Sequence, residues 1–347
     1  MNSKDSYVII FKNDAVGDLT QSLKAINKII KIHTDKKIII YLSERSYKYQ
    51  FLINSENIEF KKVNYNLKLS EKINIFFYLF KNKITNIYIL TPKNFYFYLP
   101  VFFKKIKFYG LCINGSNNYK RPYEYLRKFL YRYVVNDRSA VYKREHTTFI
   151  QEKLVNNNSN NNNITKPKAI PSKILLNNLP QDYIYFHLKK NIIKKLSWSL
   201  ENLNTLFNEL LKNYDYLIIT QDIENDINQS FIRKTYNYID FKNNEIIIKN
   251  SASKIILFDN IEGVDLYYTI SNSSKILAFH GMMTNLGSIE KKKIIDMWFC
   301  EIKNYTDYKN YRNAFYEFKP KYKGYDFIIP SKNIFKTIKK LKYSLIK

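Results

Sequence analysis

Apolar positions fall in short runs separated by stretches of helical period, and the alternation occurs twice. Tyr7–Phe11 is a continuous apolar run of strand length. After the polar turn Asn13–Asp18, residues Leu19, Leu23, Ile26 and Ile30 recur at helical spacing. Further strands are predicted at Ile38–Leu42, Ile58–Val63, Asn86–Leu90 and Lys107–Cys112, with helical stretches such as Glu71–Phe80 between them. Pro122–Val135 and Ala140–Val155 read as helices closing this half. The pattern restarts with a strand at Tyr183–His187 and a helix at Ser199–Asn213, where Ser199 is the N-cap and Leu203, Leu206, Phe207 and Leu210 share a face. Strands follow at Tyr216–Thr220, Glu245–Ile248, Ile255–Phe258, Lys275–Phe279 and Ile294–Phe299, with helices at Val264–Ile270 and Thr284–Ile289. Ile334, Ile338, Leu341 and Leu345 predict a closing amphipathic helix.

Strands alternating with helices imply an α/β protein with parallel sheets. Between the halves, Asn156–Asn163 is asparagine throughout except Ser159, and Pro167, Pro171 and Pro180 follow. Such a tract reads as a linker. The expected organisation is a Rossmann-like domain over 1–155, a linker over 156–180 and a second Rossmann-like domain over 181–347. Two such domains present the carboxyl ends of their strands across a cleft, where open α/β sheets bind ligands. No internal repeat with a period of 20–50 residues is present.

With 347 residues, 45% of them apolar, the chain can build two ordinary cores, which excludes disordered and fibrous classes. Two cysteines, Cys112 and Cys300, exclude a disulfide scaffold and a cysteine zinc site. The longest apolar-looking runs, Ile73–Phe80 and Phe95–Phe103, are far short of the roughly 20 residues of a spanning helix. The first residues show no signal-peptide pattern, so a soluble, cytoplasmic setting is expected. The charge changes the picture. Lys+Arg total 57 against 30 Asp+Glu, a net +27. That field favours anionic partners: nucleic acid, an acidic membrane face or phosphorylated ligands. An AT-rich genome would impose the same Lys, Asn, Ile, Tyr and Phe excess on any surface, so both readings stand. The 31 Tyr and 24 Phe serve mainly as core. No RNA-binding signature accompanies them, so nucleic acid is not an expected partner.

Three places could carry chemistry. The first is the turn Asn13-Asp14-Ala15-Val16-Gly17-Asp18 between the first strand and first helix. Gly17 permits a tight turn near a ligand. Asp18 is either a first-turn acid favoured by the helix dipole or a general base for an acceptor hydroxyl. The second is Ala278-Phe279-His280-Gly281-Met282-Met283-Thr284-Asn285, where a strand ends and a helix starts. N–H groups there can hold a phosphate and His280 can donate to it; the alternative is a capped turn with a structural histidine. The third is His187-Leu188-Lys189-Lys190 with Lys194 and Lys195. It is either a solvated basic loop or a countercharge for a diphosphate leaving group. His33 sits near a helix end, where a cation suits the dipole, and His146 is read inside a helix. Gly-x-Gly-x-x-Gly, Walker, Gly-x-Ser-x-Gly and His-Glu-x-x-His motifs are all missing. No Asp-x-Asp occurs, Asp222-Ile223-Glu224 being nearest, so no metal or other cofactor is expected.

At Val16-Gly17-Asp18-Leu19-Thr20 and again at His280-Gly281 the chain resembles glycosyltransferase family 9, the ADP-heptose:lipopolysaccharide heptosyltransferase group. Members have an opening strand, a Gly-Asp turn and a helix, matched here by Tyr7–Phe11, Gly17-Asp18, Leu23 and Ile26. The later correspondences are Tyr183–His187, Lys194-Lys195, Trp198, the strand ending at Thr220-Gln221-Asp222, and Leu266–Ile270. The family donor loop reads Asp-Ser/Thr-Gly followed by His; here Phe279-His280-Gly281 and Thr284 stand in those places. The resemblance implies a GT-B fold and metal-independent, inverting transfer from a nucleotide-diphosphate sugar to a glycan or lipid-linked glycan of lipopolysaccharide type. It makes Asp18 the base, places Asn13, Asp14 and Gly17 on the acceptor side, and assigns His187, Lys194, Lys195, Thr220, Asp222, His280, Gly281, Thr284 and Asn285 to the donor. A lipid-linked acceptor would bring the chain to the inner membrane face, with Tyr96–Lys107 and Pro122–Tyr133 as contacts. The rivals are a non-catalytic basic binder on the same fold and a sugar-nucleotide epimerase; the latter needs acidic groups beside the donor loop, of which Glu290 is the nearby one.

Overall fold

The computed structural model describes residues 6–114, 125–137, 145–155, 167, 169–222, 233, 235–301 and 303–346. The chain packs as two units. One comprises Met1–Lys168 with Ile302–Lys319, the other Ala169–Glu301 with Pro320–Lys347.

The sheet of the first unit contains β1 (Tyr7–Lys12), β2 (Lys37–Ser43), β3 (Ile58–Val63), β4 (Ile84–Ile89), β5 (Lys107–Asn114) and β6 (Arg132–Asp137). All are parallel, in the order β3-β2-β1-β4-β5-β6. Val8–Phe11 and Ile38–Ile40 are buried on both faces, which is why they read as unbroken apolar runs. Helix α1 (Val16–Ile32) buries Leu19, Leu23, Ile26 and Ile29. Each such side chain contributes about 1.5–3 kcal/mol by leaving water. Helices α2 (Leu69–Lys81) and α3 (Asn94–Phe102) share a core with Ile9 and Phe11. Helix α4 (Thr147–Val155) is tied to α1 by Lys28–Glu152 at 2.8 Å.

Four readings of the sequence change here. Pro122–Val135 is not one helix: residues 122–124 lie outside the described residues, Tyr125 and Leu126 are helical, Arg127–Phe129 is a 3-10 turn, and β6 begins at Arg132. Pairing with β5 prevails because Tyr133, Val134 and Val135 suit a pleated edge. Of Ala140–Val155, residues 140–144 lie outside the described residues, and the helix starts only at Thr147. His146 precedes that helix, its Nδ1 accepting from the Thr148 N–H at 3.3 Å. His33 closes α1 but is no cation. Burial, aided by the Lys36 charge, pushes its imidazole down to about 4, and it sits 3.0 Å from the Tyr88 hydroxyl.

In the second unit the strands are β7 (Tyr183–Leu188), β8 (Tyr216–Gln221), β9 (Asn237–Asp240), β10 (Glu245–Ile247), β11 (Ile255–Asp259), β12 (Lys275–Phe279), β13 (Ile294–Met297) and β14 (Tyr325–Ile328). Their order is β10-β9-β11-β8-β7-β12-β13-β14, parallel except for the antiparallel β9–β10 pair. The helices are α5 (Lys173–Asn178), α6 (Lys190–Leu196), α7 (Leu200–Leu210), α8 (Gly263–Asn272), α9 (Met282–Ile289) and α11 (Ile334–Ile346). Ser199 caps α7, as its position suggested. The stretch read as linker carries α5, whose cap Ser172 donates its N–H to Asp265 at 2.7 Å and whose Leu175 is fully buried. Its asparagine tract lies outside the described residues. Helix α10 (Tyr305–Phe318), unforeseen in the sequence and within the span assigned to the second domain, packs in the first unit. Buried Asn136 and Glu317 join it there at 3.0 Å. Strands β8, β7, β12, β13 and β14 are consecutive, so the residues after each converge at one edge.

Candidate functional site

That edge holds two polar clusters bridged by a lysine. On β7 and β8, the Tyr185 hydroxyl is 2.6 Å from Thr220 Oγ1, His187 Nδ1 is 2.9 Å from the same oxygen, and His187 Nε2 is 3.3 Å from Asp222 Oδ1. Burial holds His187 below its usual range, against the pull of Asp222, so the ring is neutral at pH 7. Burial alone would raise the Asp222 carboxyl; the His187 bond and the Lys189 charge outweigh it and hold the group low.

The second cluster centres on Asp296 of β13, which is fully buried. Its Oδ2 lies 2.7 Å from His280 Nδ1 and accepts from the Tyr325 hydroxyl at 2.9 Å, while Oδ1 accepts from Thr284 Oγ1 at 3.0 Å. A carboxylate there selects the tautomer with a proton on Nδ1, leaving Nε2 on the side of the ring away from the pair. Trp298 stacks on His280 at 3.6 Å between centroids, and its Nε1 donates to Tyr325 at 2.9 Å. The imidazole is thus fixed in plane and in rotation. Lys189 links the clusters: its ammonium donates to the His280 carbonyl, and both Asp222 and Asp296 attract it against the lowering effect of burial.

Immediately after His280 the chain turns at Gly281, with φ at +151°, into the first turn of α9. The first N–H groups of a helix lack intrahelical partners and favour an anion. A Cβ at Gly281 would come 2.5 Å from the Lys189 ammonium. Gly281→Ala is therefore expected to cost about 1–3 kcal/mol, read as a lower urea midpoint with an unchanged slope.

Of the residues assigned to the donor, this edge gathers His187, Thr220, Asp222, His280, Gly281 and Thr284; Asn285 follows, buried in α9. The Thr284 hydroxyl is spent on Asp296. Lys194 and Lys195 are not part of the group: they are exposed in the last turn of α6, and Lys189 is the member of the basic run that reaches the network. Glu290 closes the far end of α9 and accepts from the Tyr267 hydroxyl. Asp296, Trp298 and Tyr325 escaped the sequence reading; a charge inside the otherwise apolar Ile294–Met297 run was the available signal.

In the first unit, the turn after β1 divides into anchors and an exposed tip. Asn13 is fully buried; its Oδ1 accepts from the Tyr96 hydroxyl at 2.8 Å and its carbonyl from Lys93 at 2.9 Å. Asp14 pairs with buried Lys12 at 2.8 Å and accepts from Thr91 Oγ1 at 2.9 Å, while its carbonyl accepts from Ser43 at 2.6 Å. Asp14 Oδ1 is buried with no hydrogen-bond partner among the described residues. Gly17 is half-buried, and its carbonyl accepts from Thr20 Oγ1 at 2.7 Å. Asp18 follows in the first turn of α1, exposed at the carboxyl end of β1. A rigid polar base thus carries one accessible carboxylate. Among the described residues, no group of three His, Cys, Asp or Glu side chains is placed to hold a metal, and no helix is long and apolar enough to cross a membrane.

No family model matches the sequence, and no curated protein does. Solved structures do match the fold. E. coli ADP-heptose lps heptosyltransferase II superposes with a TM-score of 0.65 at 10% identity, over 98% of each chain. The chain has the fold of that transferase. The glycosyl transferase family 9 protein from Veillonella parvula DSM 2008 gives 0.62 at 11% identity, covering 99% of this chain and 90% of that one. UDP-GlcNAc 2-epimerase from Methanocaldococcus jannaschii gives 0.54 at 14%, covering 99% and 93%. The fold that the sequence resemblance implies is therefore the fold of these solved structures.

Proposed function

We propose that the chain is a glycosyltransferase that moves a sugar from a nucleotide-diphosphate sugar to a hydroxyl of a lipopolysaccharide-type glycan, with inversion and without a metal. The observation that carries this reading is the His280–Asp296 pair, fixed by Trp298 and Tyr325 beside Lys189 at the start of α9. That arrangement suits a departing diphosphate: helix N–H groups, an ammonium and a His280 ring that, when protonated on both nitrogens, gives Nδ1–H to Asp296 and Nε2–H to the phosphate stabilise the charge that grows as the bond from the anomeric carbon to the phosphate oxygen breaks. Asp18 takes the proton of the acceptor hydroxyl as its oxygen attacks the opposite face of that carbon. Asn13 and Asp14 keep the turn rigid from beneath. The transferase of similar fold is named for ADP-heptose, which makes ADP the first nucleotide to try.

A thermal-shift screen of nucleoside diphosphates tests the reading. Ligand at about 100 times its Kd adds roughly 2.7 kcal/mol, a shift of a few degrees. One selective nucleotide is the expected result. A flat screen in which RNA alone raises the melt would replace the transferase with a basic binding protein. An epimerase is separated by incubating the sugar nucleotide without acceptor, since only an epimerase would yield the epimeric sugar nucleotide.

A further inference from the structure

Helix α2 is apolar on two sides. Ile75 and Leu79 face the core, as expected of a helix covering a sheet. Leu69, Ile73, Phe77 and Phe80 recur at spacings of four, four and three, which places them within about 80° of one another on a helical projection. These four are between 46% and 76% exposed. The stripe continues onto α3: Phe76 lies between Phe77 and Phe102, at 6.4 Å and 5.7 Å, and Phe102 is 66% exposed. A contiguous apolar patch of this kind marks an interaction surface.

The charge around it selects the occupant. Lys68 and Lys81 are exposed at the two ends of α2, and Lys104 and Lys105 are exposed just beyond Phe102. The single acidic residue of α2, Glu71, is engaged with Asn64 and the Lys68 N–H, and α3 has no acidic residue. A second copy of this chain would bring the same lysines face to face across a two-fold axis. An anionic lipid surface satisfies both features, with apolar side chains entering the acyl boundary and lysines meeting headgroups.

We propose that the outer face of α2, continued by Phe102 of α3, docks the protein onto an anionic lipid surface. This surface differs from the one expected from the sequence. Tyr96–Lys107 contributes only its Phe102, Lys104 and Lys105 end, while the main contact is α2. The proposal does not depend on the transferase reading.

The test is flotation of the full chain with vesicles of phosphatidylcholine alone and of phosphatidylcholine mixed with phosphatidylglycerol. Binding to the mixed vesicles only, weakened by added salt, is expected. Phe77→Ser with Phe80→Ser should reduce binding by about tenfold per phenylalanine, with an unchanged thermal melt. Should that variant fail to fold, Lys104→Glu with Lys105→Glu should weaken binding and flatten its salt dependence. Equal binding by wild type and variants, or none to either vesicle, would overturn the proposal. So would a wild-type dimer in sedimentation that the serine variant dissolves, because the face would then belong to a second copy. The nucleotide screen is independent of these outcomes, so the two readings fail separately.

Discussion

Asp18→Asn is expected to lower kcat by about 10²–10⁴-fold, the usual contribution of a positioned general base, with nucleotide binding unchanged. The amide keeps the size of the side chain but cannot accept the acceptor's proton. The position is exposed in the first turn of α1, so the lost interaction of the carboxylate with the helix dipole should cost only about 0.3–1 kcal/mol of stability. Asp14→Asn provides the contrast. It deprives buried Lys12 of its countercharge, which costs about 3–5 kcal/mol, and so should lower the urea midpoint. Steady-state kinetics with saturating donor, set beside unfolding curves for both variants, decide the matter. Near-normal turnover in Asp18→Asn would remove the carboxylate from the mechanism. An equal loss of stability in both variants would make the whole turn a structural element.

Asp296→Asn should act through a different quantity. The side chain is fully buried, and His280, Tyr325 and Thr284 all bond to its oxygens. An amide presents its own N–H groups to one side of that ring of donors and removes the charge that holds the His280 proton on Nδ1. A loss of about 2–4 kcal/mol of stability is expected, in the range for breaking a buried charged network. If His280 contacts the donor diphosphate, the donor KM should rise by about tenfold or more while kcat falls less, since the weakened contact serves binding as well as the transition state. Adding Asp296→Asn to His280→Ala should then change KM little further, because both act through one imidazole. Full additivity would show that Asp296 does not act through His280.

What could be read before the structure, and what could not, follows from how far each interaction reaches. Val8–Phe11, Ile38–Ile40 and Tyr183–His187 are central parallel strands buried on both faces, so their local composition reports their place. Strands β9 and β14, of four residues each, mix apolar and polar positions and carry too little periodicity to stand out. Helix α10 has a predominantly polar sequence, YTDYKNYRNAFYEF, and its attachment through Glu317 depends on a residue 181 positions away. The same limit applies at the site. The glycine, the histidine and the strand ends could be picked out as punctuation. The partner of His280 sits on the adjacent strand, and nothing in the local pattern says which of β12's neighbours that will be. The choice among the lysines turned on helix geometry: α6 begins at Lys190, so Lys189 stays with the strand end while Lys194 and Lys195 are carried about 6–8 Å along a surface helix.

The return of residues 302–319 to the first unit also sets the rules for exchanging parts between such proteins. The polypeptide passes between the units after Lys168, after Glu301 and after Lys319, so neither unit is one continuous stretch of gene. A chimera joined once, in the asparagine tract, would carry α10 away with the foreign half and strip buried Asn136 of Glu317. A transplant of the second unit that respects the architecture needs three junctions, with α10 left behind as part of the recipient.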